Sequence, residues 1–257
     1  MTILAILQAR MSSRRLPNKV MAPLLGQPML VRQIERLRRA TTLDALVVAC
    51  SAEVSDAPLI DMCAKFGVPC YQGSLNDVLA RFKGAYSTYG PADHIVRLTG
   101  DCPLIDPAIV DFVVRHHLAT EADYTANAVI PTWPDGLDVE VMRADTLHRA
   151  FDEAILQSER EHVTPYIYKH PELFHVEHVK GGRDLSSLRW TVDEPSDLAF
   201  VTAVYSELYF DNPAFDTDAV LSLLQRRPEL AALNGQFLRN EGYSKSLAND
   251  VRNKFAL

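Results

Sequence analysis

The sequence predicts an α/β fold, a mainly parallel sheet with helices on both faces. Three observations carry that expectation. A short apolar run at the start, Ile3 to Leu7, breaks abruptly into a cationic loop; strand-like runs then alternate with helical patterns; and a later buried run ends on Gly100-Asp101. Bounded apolar runs of this length read as strands buried on both faces, the habit of parallel sheets flanked by helices. Such sheets bind ligands beyond the carboxyl ends of their strands, so the loops there are the expected working parts.

The first of these loops runs from Gln8 to Met29. It holds Arg10, Arg14, Arg15 and Lys19 and no acid, beside the hydroxyls of Ser12 and Ser13. Like charges crowded at a strand's end repel unless something neutralises them. Arginine offers planar, bidentate donors to phosphate oxygens and lysine a compact charge, while Leu16-Pro17 stiffens the loop between them. A polyphosphate is the expected occupant. Pro28 then opens a helix with Leu30, Ile34 and Leu37 on one face, and Arg32, Arg36, Arg38 and Arg39 are expected on a solvated face.

Composition narrows the function classes. The chain has 257 residues, 47% hydrophobic and 23% charged, enough to bury a full core. One large domain is expected over 1–210, with an excursion near 124–180, followed by a carboxyl-terminal helix and tail over 211–257. Net charge is −7, yet residues 1–39 carry eight cations against one acid, a local +7 that leaves −14 for the remainder. That asymmetry argues against general nucleic-acid binding and for a focused small-anion site. No apolar run reaches membrane-spanning length and nothing resembles a secretory signal, so a cytoplasmic protein without membrane contact is expected. Cys50, Cys63, Cys70 and Cys102 show no CxxC pair or zinc-ligand spacing. They read as reduced thiols, Cys102 as a small apolar filler.

Along the chain, Ala45 to Cys50 is a second strand, followed by a helix from about Ala57 to Phe66. Val68 to Tyr71 is a third strand, and Gly73 to Asp77 turns into a helix running to about Tyr89, where Gly90-Pro91 ends it. Asp93 to Leu98 is the fourth strand. At its end Asp101 is held rigidly at the sheet's ligand edge and is well placed for a divalent ion. Asp106, just before Pro107, is expected to cap the next helix, to about Leu118. After a loop over Pro131 to Gly136, Leu137 to Met142 reads as a strand with Asp138 and Glu140 on one face, either solvated or turned to a ligand. A helix over about Ala144 to Leu156 follows. Glu159, Arg160, Glu161 and His162 then crowd around a helix start, as a polar site or as structural pairs. Leu188 to Val192 reads as a late strand ending at Asp193, which is either a helix cap or a ligand acid. Pro195 opens a helix to about Tyr209, another spans about Thr217 to Arg227, and the tail beyond is polar with no evident chemistry.

Six segments in register, ARMSSRRLPNK, GSLNDVLARF, TGDCPLID, DGLDVEV, REHVTPY and WTVDEPSD, span Ala9 to Asp197. Together they resemble the cytidylyltransferase family that activates sugar acids. The likeness is to its spore-coat polysaccharide biosynthesis protein F branch, which is similar to the enzymes making CMP-activated ketodeoxyoctonate and sialic acid. The resemblance implies a Rossmann-like nucleotidyltransferase core with a small lid or dimerisation excursion, and a homodimer. It implies that Arg10, Ser13, Arg15 and Lys19 form a triphosphate loop and that Ser74 and Arg81 lie near the nucleobase. Asp101 and Asp193 would hold Mg²⁺, and Glu140, Arg160 and His162 would lie near the acceptor. Arg10, Lys19 and Asp101 are then the expected catalytic residues. Asn18 stands where Gly is common, which is tolerable because Asn also visits the left-handed region. Cys102 stands where the ketodeoxyoctonate branch has Glu.

The chemistry this implies is attack of an acceptor hydroxyl on the α-phosphorus of CTP, with Mg²⁺ at the two aspartates and pyrophosphate leaving. Such transfer depends on positioning and charge stabilisation. Two alternatives stand beside it. One is a metal-dependent glycosyltransferase, for which Asp138-Val139-Glu140 imitates a DxD motif; the other is a non-catalytic nucleotide sensor. The chain has no GxxxxGK[ST] and no GxGxxG, which argues against an ordinary ATPase or a dinucleotide enzyme.

Overall fold

A computed structural model describes residues 1–237, 239 and 241–254. Strand β1 (Ile3–Gln8) is apolar on both sides: Ile3, Ala5 and Leu7 face one layer, Leu4 and Ile6 the other, and all five are buried. That pattern places it in the middle of the sheet. The loop after it contains a 3₁₀ turn over Lys19–Met21 and a tight hairpin of β2 (Pro23–Leu24) and β3 (Gln27–Pro28). Strands β4 (Ala45–Ser51), β5 (Cys70–Gly73) and β6 (His94–Thr99) run parallel to β1. Residues 124–180 then continue the same sheet with β7 (Tyr124–Ala126), β8 (Glu140–Arg143) and β9 (Val176–His178). The seven strands stand in the order β5-β4-β1-β6-β8-β7-β9, with β8 antiparallel to both its neighbours.

Two apolar layers cover the sheet. One packs helices α1 (Met29–Leu37), α2 (Ala57–Lys65), α4 (Pro107–Thr120), α8 (Pro195–Leu208) and α9 (Thr217–Arg226) against Ile3, Ala5, Leu7, Val96 and Leu98. The other packs α3 (Val78–Tyr89), α5 (Ala144–Glu153) and the short α7 (Pro165–Tyr168) against Leu4, Ile6, Val47 and Met142, and the short polar α6 (Gln157–His162) lies on α3. Helices on both faces of a mainly parallel sheet are what the alternation of runs predicts. The chain finishes with α10 (Pro228–Ala231) and α11 (Glu241–Lys254), the latter packed on α6.

Three expectations change. Arg32 and Arg36 are buried, at 7% and 2% exposure, while Arg38 and Arg39 are exposed. Their guanidiniums spend their donors on carbonyls of other elements: Arg32 on Leu24 and Leu25, Arg36 on Ile105 (2.6 Å) and Phe215 (2.9 Å). A buried guanidinium persists when its fork is met this way. The segment Leu188 to Val192 is no strand; it makes a single bridge from Arg189 to Asp135 and is strung between loops. Strand β8 starts at Glu140, not Leu137, because the Asn127 side chain takes the Leu137 carbonyl and the Val139 amide in place of a neighbouring strand. Asp106 caps α4 as expected, accepting from Ala108 N at 2.9 Å, and its other oxygen accepts from Thr217 N at the start of α9. The four cysteines are free thiols, and burial pushes the Cys102 thiol well up, consistent with a filler.

Candidate active site

The ends of β1 and β6 meet closely. Gly100 N donates to Gln8 O at 2.8 Å, and a Cβ there would stand 2.9 Å from the Ala9 Cβ and 3.0 Å from Gln8 O. Only glycine allows that approach, which sets Asp101 beside the cationic loop. Buried Asp56 pins the loop by accepting from Met11 N (2.8 Å) and from Ser51 N and Oγ (2.8 and 2.6 Å). Met11 O in turn receives the amides of Ser13 and Asn18, each at 2.9 Å. Asn18 takes φ 61, the left-handed conformation expected of it, and turns the chain into the 3₁₀ turn that starts at Lys19. Asp56 went unnoticed in the sequence, where an acid before a helix reads as an ordinary cap.

Lys19 is the centre of the arrangement. Its ammonium donates to Asp101 Oδ2 (2.9 Å), Asp193 Oδ1 (2.8 Å) and Val192 O (2.8 Å), one acceptor for each N–H. Burial alone would lower its pKa, but Asp101 and Asp193 raise it above the usual lysine value. Burial works against the Asp101 carboxylate too, yet the Lys19 charge and its hydrogen bond bring it down to about 2. The two acids that the resemblance assigned to one ion therefore do converge, around a cation from the loop after β1.

Asp193 does not cap α8. Glu194 does so in a capping box with Asp197: the Glu194 side chain accepts from the Asp197 amide, and the fully buried Asp197 carboxylate accepts from the amides of Glu194 and Asp193, both at 2.9 Å. The Asp193 carboxylate instead faces Lys19, Arg15 (2.8 Å) and Arg189 (3.1 Å). Arg189, unremarked in the sequence, is the hub: it grips Asp197 through Nε and Nη2, both at 2.9 Å, and reaches Asp135 at 3.2 Å. Gly136, at φ 109, lets the Asp135 loop press on this segment, since a Cβ there would lie 2.6 Å from Thr191 N. The sequence marks Arg189 only as one cation in a strand-like run.

On the α3 side, Ser74 and Arg81 come together, Arg81 Nη1 donating to Ser74 O at 3.0 Å. Arg81 is 2% exposed; burial first, and then the neighbouring Arg10, lower its pKa to about 10. Among the described residues neither Arg10 nor Arg81 has an ion-pair partner, so the two guanidiniums form an unneutralised pair beside the cleft. Ser13 has its side chain on the Leu16 amide at 3.4 Å. Arg160 lies on this side also. It grips Asp77 (2.6 Å from Nη2) and the Phe151 carbonyl (2.7 Å), and Asp77 caps α3 through Ala80 N.

On the β8 side, Glu140 is buried and fully engaged, with Arg97 on one oxygen and Tyr124 and Thr164 on the other. Asp138 lies before the strand and pairs with Arg239, so Asp138 and Glu140 share no partner. Burial drives the Asp138 carboxyl up to about 7, although Arg239 opposes the shift. His162 does not meet Arg160's partners either. Its Nε2 pairs with Ser246 Oγ of α11 at 3.0 Å, and burial lowers its pKa to about 4.

Asp101 and Asp193 suit a hard divalent cation. Asp101 Oδ1 is met by the Cys102 thiol, a weak donor at 3.5 Å, and the Asp101 side chain is 26% exposed. Asp101 Oδ1 thus has no charged donor, while Oδ2 is taken by the Lys19 ammonium that sits where the two acids converge. Among the described residues no cluster of three His, Cys, Asp or Glu side chains forms a metal cage. Magnesium commonly takes one or two carboxylates and completes its shell from phosphates and water, which fits a pair of acids beside a cationic loop.

Residues 4–207 match a protein-family model described as cytidylyltransferase. This chain belongs to the cytidylyltransferase family. The cytidylyltransferase is 35% identical over 249 residues to an uncharacterized protein of Methanocaldococcus jannaschii, covering 95% of this chain and 98% of that one. It is 34% identical over 236 residues to the spore coat polysaccharide biosynthesis protein SpsF of Bacillus subtilis, covering 89% and 96%. Among solved structures, a cytidylyltransferase from Leptospira borgpetersenii superposes with a TM-score of 0.86 at 30% identity, over 93% of this chain and all of that one. CMP:2-keto-3-deoxy-manno-octonic acid synthetase, solved with CTP, shares the fold at a TM-score of 0.61 and 18% identity, over 80% of this chain. The match makes this chain an enzyme and sets the glycosyltransferase alternative aside, in accord with the unshared partners of Asp138 and Glu140. Among the described residues no helix is long and apolar enough to cross a membrane.

Proposed function

We propose that this cytidylyltransferase transfers CMP from CTP to a sugar-acid-like acceptor, releasing pyrophosphate, in the cytoplasmic stage of surface or coat polysaccharide synthesis. The observation that carries the reading is the meeting of Lys19 with Asp101 and Asp193 at the ends of β1 and β6. It joins a loop built for anions to a pair of acids built for a cation, and a nucleoside triphosphate with its metal is a ligand that needs both. The fold shared with an enzyme solved with CTP supports the choice of nucleotide.

In this reading Arg10, Ser13, Arg15 and Lys19 receive the β- and γ-phosphates, and Ser74 and Arg81 sit beside the nucleobase. The unneutralised pair Arg10 and Arg81 gains most from an arriving anion. Asp101 and Asp193 hold Mg²⁺, which supplies charge neutralisation at the phosphates when bound. Lys19 keeps positive charge at the point where pyrophosphate departs, and Asp101 remains ionised throughout because Lys19 holds it so. His162 faces the acceptor. Glu140 and Arg160 shape the acceptor wall from behind, Glu140 by fixing Arg97, Tyr124 and Thr164, and Arg160 by tying α6 to α3. The enzyme works as a homodimer, as the resemblance implies.

A pyrophosphate-release screen tests this directly, with each nucleoside triphosphate paired with a panel of sugar acids and sugar phosphates. Release with CTP, Mg²⁺ and a sugar acid is expected. Consumption of a nucleotide sugar without pyrophosphate would refute it.

A further inference from the structure

The family model ends at residue 207, yet the chain beyond it returns to the cleft. Asn234 donates to Arg189 O (3.0 Å) and Asp197 Oδ1 (2.9 Å), Arg239 reaches Asp138 and the Trp133 carbonyl, and Glu241 pairs with Arg15 at 3.5 Å. Two residues on, Tyr243 lies edge-on to His162 with ring centroids 5.0 Å apart, and Ser246 Oγ pairs with His162 Nε2 at 3.0 Å. Asp250 accepts from Ser158 N at 3.1 Å. The described residues of this segment therefore touch the phosphate loop at one point and cover the acceptor-side histidine at another.

We propose that the carboxyl-terminal segment is a strap latched over the cleft by Glu241 on Arg15, and that a triphosphate arriving at Arg15 releases it and uncovers His162 for the acceptor. The inference rests on the nucleotide reading above. Arg15 faces three carboxylates: Asp193 at 2.8 Å, Glu194 at 3.5 Å and Glu241 at 3.5 Å. A triphosphate brings several negative charges to the same guanidinium, and like charges cannot share it without repulsion. Asp193 is fixed by Lys19 and Arg189, and Glu194 stands at the start of α8. Glu241, one-third exposed and on the first turn of α11, is the carboxylate with freedom to withdraw. When that turn moves, Tyr243 and Ser246 move with it, because residues two and five positions along a helix belong to the same one or two turns. Asn234, buried on Arg189 and Asp197, remains as the anchor before it. The consequence is an order of binding, nucleotide before acceptor.

A latch of this kind lowers the apparent affinity for its opener, because part of the binding free energy goes into opening. Hydrogen–deuterium exchange and calorimetry on the full chain test it, with Mg-CTP as the probe. In the unaltered chain, Mg-CTP should raise amide exchange over 241–250 while protecting 10–19. Without ligand, Glu241→Gln and Arg15→Gln should each raise exchange over 241–250, and the double variant should add nothing further. Glu241→Gln should bind CTP about threefold or more tightly, while Glu241→Asp, which keeps the charge, should restore the lower affinity. Protection of 241–250 by CTP, or unchanged exchange and affinity in Glu241→Gln, would overturn the strap. Failure of the unaltered chain to bind CTP would count against the nucleotide reading instead, and the ligand-free exchange of the two single variants would still decide the latch.

Discussion

Lys19 and Asp193 stand 174 residues apart in sequence and 2.8 Å apart in space. Their ion pair, shared with Asp101, joins the first loop of the chain to the start of α8 across the ligand edge of the sheet. Both side chains are largely buried, at 10% and 19% exposure. Removing one partner of such a pair leaves uncompensated charge, whereas forming it gains little over water.

Lys19→Ala is accordingly expected to destabilise the fold by about 3 kcal/mol in urea titrations, near the low end of the range for breaking a buried pair, because Arg15 and Arg189 still attend Asp193. The same variant should lose CTP affinity. Unchanged stability and unchanged affinity together would contradict the role assigned to this ammonium.

Much of this was legible in the sequence, and the parts that were not share a cause. Strands β1, β4 and β6 announce themselves through bounded apolar runs, and the cations of the first loop through the lack of any acid among them, whereas β5 begins at Cys70, two residues past the expected Val68, and the two-residue strands β2 and β3 carry no such run. Arg36 was misread because a helical pattern shows which face a side chain leaves from, while the Ile105 and Phe215 carbonyls that receive it lie far along the chain. Asp193 could be a cap or a ligand acid on spacing alone; only the folded chain shows the capping done by Glu194 with Asp197, which leaves the Asp193 carboxylate to Lys19, Arg15 and Arg189. Glu241 and Ser246 looked like an ordinary polar tail because their partners, Arg15 and His162, belong to segments that only folding brings near.

Asp101→Asn should keep the fold and lose pyrophosphate release by about 10² to 10³, the usual effect of deleting one well-placed charge at a reacting centre. The amide keeps the shape of the side chain but not its negative charge toward the cleft. Turnover assays at saturating Mg²⁺ check it, and near-normal rates would contradict it.

Arg189→Lys tests the hub behind Asp193. Arginine's planar fork grips Asp197 through two nitrogens and still reaches Asp135 and Asp193; a lysine cannot reproduce that geometry. A loss of about 2 kcal/mol is expected by thermal or urea unfolding, with Asp193 left less fixed and CTP binding weakened. A variant as stable as the parent would show the fork to be dispensable.

Acid should destabilise the protein above the carboxylate range. Burial lowers His162 to about 4 and His117 to about 3, below the usual histidine value of 6.5. Both groups therefore contribute stability that is present above pH 6.5 and is lost as pH falls toward those folded-state values, because the unfolded chain takes up protons that the folded one refuses. Urea midpoints measured from pH 7 to pH 4 should fall, and His117→Asn, which can still meet Thr125, should flatten that slope. A slope unchanged in that variant would contradict the assignment.

The most direct measurement is calorimetric titration of CTP into the full chain with and without Mg²⁺, repeated on Asp101→Asn. Tight binding that depends on Mg²⁺ in the parent, with that dependence lost in Asp101→Asn, is the expected result. Equal CTP affinity with and without Mg²⁺ in both proteins would contradict the placement of a metal-bound triphosphate beside Lys19 and the two aspartates.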